Sequence, residues 1–313
     1  MIIPVVEQAI RRLEEHASLQ AVWRGLELQA RLSGERPGGG PPPGELTLAG
    51  LTDTAKLLVA ALAARALARP VLLLTRSNRT AEKALPPLRF FFQLLTGRDP
   101  AAVVFLPALE VSPYRRLSPH PEIAEARGVA LWRLAMGEAE LVLCPAAAAL
   151  GRLRDRDSYR RLARTLRAGD TVLLDELVAT LESVGYERRE PVEMPGEFSV
   201  RGGIVDFFSP ESARPARLEL FGDRLEELRE FDPSTQLSAF PLTAARILPL
   251  REFPATPEVW EQLWALREGR AAEGVVHPFP GWEFLLPLVE GFGATVLDLL
   301  PRAVLLEDEP EGL

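Results

Sequence analysis

The stretch that decides the fold is residues 194–236, MPGEFSVRGGIVDFFSPESARPARLELFGDRLEELREFDPSTQ. Runs rich in Phe, Val, Ile and Leu at 198–201, 204–208 and 216–221 are separated by Gly202-Gly203, Ser209-Pro210 and Gly222-Asp223. Short apolar runs between such turn residues read as an antiparallel sheet, with Gly222-Asp223 joining two hairpin strands. Strand side chains alternate faces, so Arg217, Glu219 and Phe221 share one face while Leu218 and Leu220 share the other. An aromatic ring among arginines on an outward face has the composition of a protein-binding hot spot. The other reading of the same alternation is a sheet whose ends merely pack.

Working outward, the segment 152–167, RLRDRDSYRRLARTLR, holds seven arginines interleaved with Asp155 and Asp157. Leu153, Tyr159, Leu162 and Leu166 fall at roughly helical spacing, which predicts a helix with a solvated basic face rather than a nucleic-acid site. The net charge of −8, from 36 basic and 44 acidic residues, opposes broad phosphate binding in any case. A further helix is expected over 175–184, its first turn carrying Asp175 and Glu176, which complement the helix dipole.

Upstream, strands and helices alternate. LTLAG (46–50), VLLLT (71–75), VVFL (103–106) and LVLC (141–144) read as buried strands, and helices are expected near 53–68, 80–95 and 122–136. That alternation implies a parallel sheet covered on both faces. An amphipathic stretch at 4–32, with Val6, Ile10, Leu13, Leu19 and Val22 on its apolar side, precedes it, and the Gly/Pro segment 34–45 links the two. Downstream, a helix is expected near 257–268, and the apolar runs of the last stretch are expected to complete the first sheet.

The first strand-to-helix turn, Gly50-Leu-Thr-Asp-Thr-Ala55-Lys56-Leu57, aligns with the phosphate-binding pattern G-x-x-x-x-G-K-[ST]. Gly50 and Lys56 are retained. Ala55 replaces the glycine that lets backbone wrap the phosphates, Leu57 replaces the hydroxyl that holds magnesium, and Asp53 adds a carboxylate where a triphosphate sits. The turn reads as degenerate, and no cofactor is expected here. Two acidic stretches after strand-like runs, Asp175-Glu176 and Glu307-Asp308-Glu309, are explained by a helix start and a solvated tail. His16, His120 and His277 are far apart and form no metal or acid–base set. One cysteine, Cys144, excludes an internal disulfide framework and reads as a buried small hydrophobe. The N-terminus reads without a signal peptide, and no uninterrupted apolar run reaches a membrane span of ~18 residues. A cytoplasmic protein with no membrane partner is expected.

The patterns GEFSVRGGIVDFFSP and ARLELFGDRLEELREFDPSTQ, together with LPALEVSPYRRLSPHPEIAEARGVALWRL at 106–134, resemble the N-terminal region of the bacterial transcription-repair coupling factors, the Mfd family. That region is itself similar to the excision-repair protein UvrB. The resemblance implies an α/β fold: a UvrB-like parallel-sheet domain with a degenerate P-loop, split by an inserted α+β domain with an antiparallel sheet. Expected boundaries are 1–152, 153–238 and 239–313, the last completing the first domain.

It also implies a non-catalytic module that recruits UvrA in transcription-coupled nucleotide excision repair. The family's contact residues, two arginines and a phenylalanine, fall on Arg201, Arg217 and Phe221. The chain lacks the aromatic-rich hairpin that UvrB threads along DNA, passing from VVFLPALE directly to SPYRRLSP. RNA polymerase, DNA, ATP and magnesium are expected to engage other parts of a longer protein, whose C-terminal domain covers the UvrA-binding face until the motor engages. The competing readings are an ATP-dependent, UvrB-like DNA helicase component and an autoinhibitory domain packing only within its own protein.

Overall fold

In the computed structural model the described residues are 8, 10, 12–34, 47–67, 69–270 and 278–312, with side chains of 27–34 excepted. Val6, most of the Gly/Pro segment and His277 lie outside them. The chain divides into two compact units: residues 1–105, 139–149 and 300–313, and residues 106–138 and 150–299. This division differs from the expected boundaries, since 106–138 and 239–299 cluster with the unit that holds the antiparallel sheet.

The first unit is built on a four-stranded parallel sheet of β1 (Val71–Thr75), β2 (Val103–Phe105), β3 (Leu141–Pro145) and β12 (Val304–Glu307), in the order β12-β1-β3-β2. Val71 aligns with Val304 on one side and Leu141 on the other, so the C-terminal strand extends the sheet begun by β1. The strands are near-continuous apolar runs because both sheet faces are covered. The helix Asp53–Leu67 buries Val59, Ala60, Ala61, Leu62, Ala63 and Ala64, and these small side chains pack in one core with Leu88 and Phe92 of the helix Asn78–Thr96. Ser77 starts that second helix by accepting a hydrogen bond from the Thr80 amide, and Gly97 ends it in the left-handed region. Cys144 is fully buried, as its apolar setting predicts.

One strand expected in this sheet does not form. Thr47–Ala49 are exposed and unpaired, and Gly50 is a bend. The run LTLAG is apolar enough for a strand, but β12 takes the place beside β1.

The second unit carries a six-stranded sheet. Its strands are β5 (Glu187–Arg188), β6 (Glu197–Arg201), β7 (Ile204–Phe207), β8 (Ala216–Phe221), β9 (Arg224–Phe231) and β10 (Ser238–Pro241), in the order β10-β9-β8-β7-β6-β5. All pairs are antiparallel except β5 with β6. A separate ribbon pairs β4 (Arg164–Leu166) with β11 (Ala245–Ile247). The helix Leu174–Ser183 lays Leu177 and Leu181 on the sheet face formed by Phe198, Val205, Phe207, Leu218, Leu225 and Leu228. The opposite face is thereby left to the polar set that contains Arg217. A further core of Phe253, Trp260, Leu263, Phe279, Trp282 and Leu286 builds on the helix Pro257–Glu268.

The arginine-rich segment departs from the sequence reading. Only Arg156–Arg160 is helical, started by Asp155, whose carboxylate accepts from the Ser158 amide, and β4 follows at once. The apolar positions are buried as expected, but as the anchors of a turn and a strand. Arg152, Arg160, Arg161 and Arg167 are exposed as expected, whereas Arg154, Arg156 and Arg164 are partly buried. Arg156 donates to the carbonyls of Leu134, Ala135 and Leu299, and Arg160 to that of Ala135. Both arginines thereby supply donors to the Ala135 carbonyl in the last turn of the helix Pro121–Met136, where carbonyls run out of intrahelical partners.

A candidate protein-interaction face

The face opposite the helix-covered side of the six-stranded sheet is set by register. Ser199 pairs with Asp206, Asp206 with Arg217 and Arg217 with Arg229; one row on, Arg201 pairs with Ile204, Ile204 with Glu219 and Glu219 with Glu227. Phe221 pairs with Arg224 at the end of the β8–β9 hairpin. The pairing shifts between Glu219 and Leu220, where β9 carries an extra residue, so Leu225 and Leu228 both reach the core although three positions separate them. The bulge leaves the alternation of β8 intact, and Arg217, Glu219 and Phe221 lie on one face as the sequence predicts.

The three expected contact residues have different surroundings. Phe221 is 78% exposed at the hairpin tip. The Arg201 side chain is 41% exposed, at the end of β6. The Arg217 side chain is only 13% exposed, and its surroundings explain why. Its Nε donates to Asp206 Oδ1 at 2.7 Å and its Nη2 to Asp206 Oδ2 at 2.8 Å, a bidentate fork. Its Nη1 donates to the Gln236 carbonyl at 3.2 Å and to Ser238 Oγ at 3.4 Å. The guanidinium also stacks 4.6 Å from the centroid of buried Phe231. Hydrogen bonding to Asp206 pushes the Arg217 pKa further up, so this arginine stays charged.

Asp206 was not singled out by sequence reading, and it is the centre of the arrangement. Its side chain is 1% exposed, and its Oδ2 accepts from Arg201 Nη2 at 2.6 Å as well as from Arg217. The available signal was an aspartate in the middle of the apolar run IVDFF, where a buried carboxylate requires cationic partners. Which cations they are depends on pairing across β6, β7 and β8. The two-residue turn Gly202-Gly203 completes the geometry: Gly202 takes a left-handed φ of 60°, and a Cβ on Gly203 would lie 2.5 Å from the Leu220 carbonyl oxygen. Only glycine fits at Gly203.

In the other unit, the turn at 50–57 places its lysine among carboxylates. Lys56 Nζ lies 2.8 Å from Asp308, 2.6 Å from Glu309 and 3.6 Å from Asp53. Hydrogen bonds to Asp308 and Glu309 raise the Lys56 pKa, and the Lys56 ammonium in turn holds that of Glu309 down. Glu309 is exposed, as expected of a solvated segment, and Asp308 is partly buried; both also face the lysine that a phosphate group requires. Gly50 adopts a left-handed φ of 77°, while Ala55 and Leu57 lie within the helix Asp53–Leu67. Among the described residues no cluster of His, Cys, Asp and Glu could hold a metal ion, and no helix is long and apolar enough to cross a membrane.

Residues 165–253, which span the six-stranded sheet, match the family described as the UvrB interaction domain. The chain therefore carries a UvrB interaction domain. Beyond that domain it is similar to proteins named transcription-repair-coupling factor: 32% identical over 68% of the chain to that of Bacillus subtilis, and 32% identical over 84% of the chain to that of Myxococcus xanthus. The factor of Escherichia coli is 30% identical over half of the chain. The chain spans 18%, 24% and 14% of the length of these three relatives, respectively.

Proposed function

We propose that this chain is the UvrA-recruiting module of a transcription-repair-coupling factor, acting in transcription-coupled nucleotide excision repair and without ATPase activity of its own. The observation that carries the reading is the face of the UvrB interaction domain on which exposed Phe221 and half-exposed Arg201 both lie. A phenyl ring offers apolar area to a recess, and a guanidinium offers planar hydrogen bonding to a carboxylate. RNA polymerase, DNA and ATP engage other parts of the protein, and a C-terminal domain covers this face in the resting state.

The absence of ATPase activity is supported by the phosphate-loop turn, where Lys56 is engaged by Asp308 and Glu309 and both Ala55 and Leu57 break the binding pattern. The same engagement weighs against a UvrB-like helicase component. Calorimetric titration of the chain with purified UvrA tests the recruitment reading, with Phe221→Ala and Arg201→Ala as variants. Each anchor is expected to contribute ~2 kcal/mol or more, about thirtyfold in affinity. No binding by the unaltered chain, or full affinity in both variants, overturns it. Saturable ATP binding in a parallel titration overturns the non-catalytic part.

A further inference from the structure

Four acceptor atoms face the five N–H donors of Arg217: both oxygens of Asp206, the Gln236 carbonyl and Ser238 Oγ. A guanidinium so used has little left to offer a partner. Arg201 is differently placed, with one hydrogen bond to Asp206 Oδ2 and a longer approach of 3.8 Å to Glu190. Its remaining donors face outward from a side chain that is 41% exposed. Asp206 connects the two, since a single buried carboxylate is shared by both guanidiniums. Asp206 alone does not balance the two guanidiniums, and the second positive charge, that of Arg201, is met only by the 62% exposed Glu190 at 3.8 Å.

We infer that Asp206 is the positioning residue of this face and that Arg217 acts through it, so that Arg201 and Phe221 are the groups that touch the partner. The partner surface that fits presents a carboxylate to Arg201 beside an apolar recess for Phe221. This deepens the recruitment reading and rests on it for the identity of the partner. The division of roles rests on the hydrogen bonds alone.

The test pairs a binding measurement with one independent of any partner. Asp206→Asn keeps the side-chain volume but leaves one acceptor oxygen and no charge for three donor contacts. Its affinity for UvrA is expected to fall at least tenfold, and adding Arg201→Ala is expected to cost less than a further threefold, because Arg201 is already displaced. Asp206→Glu, which restores the charge, is expected to recover most of the affinity. Unaltered binding by Asp206→Asn, independent multiplying losses in the double variant, or a glutamate variant as weak as the asparagine one would each overturn the inference.

Nitrogen-15 spectra of the arginine side chains give the second readout. In the unaltered chain the Arg217 Nε–H resonance is expected to exchange slowly with water and the Arg201 guanidinium to be ordered. Both properties should be lost in Asp206→Asn while the backbone amide spectrum stays dispersed. Should the unaltered chain not bind UvrA, the recruitment reading fails by itself, and these spectra still decide the role of Asp206. Arginine signals unchanged in Asp206→Asn overturn it; their loss sustains it.

Discussion

Replacing Arg217 with alanine separates a structural arginine from a contact one. The substitution removes both bonds of the fork to Asp206, two further hydrogen bonds and the stack on Phe231. Asp206, 1% exposed, would keep only the Arg201 bond. Removing one partner of a buried ion pair costs about 3–5 kcal/mol because the other charge is stranded. The surviving Arg201 bond and water reaching the 13% exposed Arg217 position place the cost near the lower end, at about 3 kcal/mol. For a unit in the 150–250-residue range, each kcal/mol moves the melting temperature by roughly 2–4 °C, so a fall of ~6–12 °C is expected. Phe221→Ala, at a side chain 78% exposed, should stay within about 0.5 kcal/mol of the unaltered chain. Differential scanning calorimetry of the two variants under identical conditions makes the comparison. An Arg217→Ala chain that melts within 2 °C of the unaltered protein refutes the reasoning, because Asp206 would then find compensation the structure does not contain. The result also governs how binding data are read: a loss of affinity in Arg217→Ala counts as loss of a contact only if the sheet remains folded.

Three further outcomes follow from the geometry. Gly203→Ala places a Cβ against the Leu220 carbonyl and should destabilise the sheet by about 1–3 kcal/mol in urea titrations, whereas Gly202→Ala has open space and bears only the left-handed backbone strain of about 1 kcal/mol. Lys56→Met removes the counter-charge of Asp308 and Glu309, and hydrogen exchange at β12 should quicken by roughly three- to tenfold with no gain of nucleotide binding. Burial, then the nearby Glu211 and Glu122, raises the Glu125 pKa above 4.5, so its ionised form destabilises the fold at neutral pH. Glu125→Gln should melt ~1–3 °C higher at pH 7, an advantage that disappears as the pH falls through the raised folded value toward 4.5; an equal advantage at both pH values contradicts this.

Much of the candidate face was legible in the chain. Alternation along 216–221 places Arg217, Glu219 and Phe221 together, and the glycine turns mark the hairpins that the structure contains at Gly202-Gly203 and Gly222-Asp223. The bulge opposite Glu219 was not legible, but it falls on β9 and leaves that face unchanged. Two local expectations failed. LTLAG has the apolar content of a strand, yet β1 is flanked by β12 and β3 and residues 47–49 pair with no strand; 152–167 has helical spacing, yet 164–166 pairs with β11 as β4.

The sequence by itself determined the hairpins of β6 to β9, the strands β1, β2 and β3 with the helices between them, and which side of β8 carries charge, because those features follow from side-chain period and turn chemistry within a few residues. Only the tertiary structure decided that Asp206 joins Arg201 and Arg217, and that Lys56 meets Glu309 across 253 positions of chain. Charge pairing has no period and acts over a few ångströms of space, so its partners are set only when strand register and chain return bring them together.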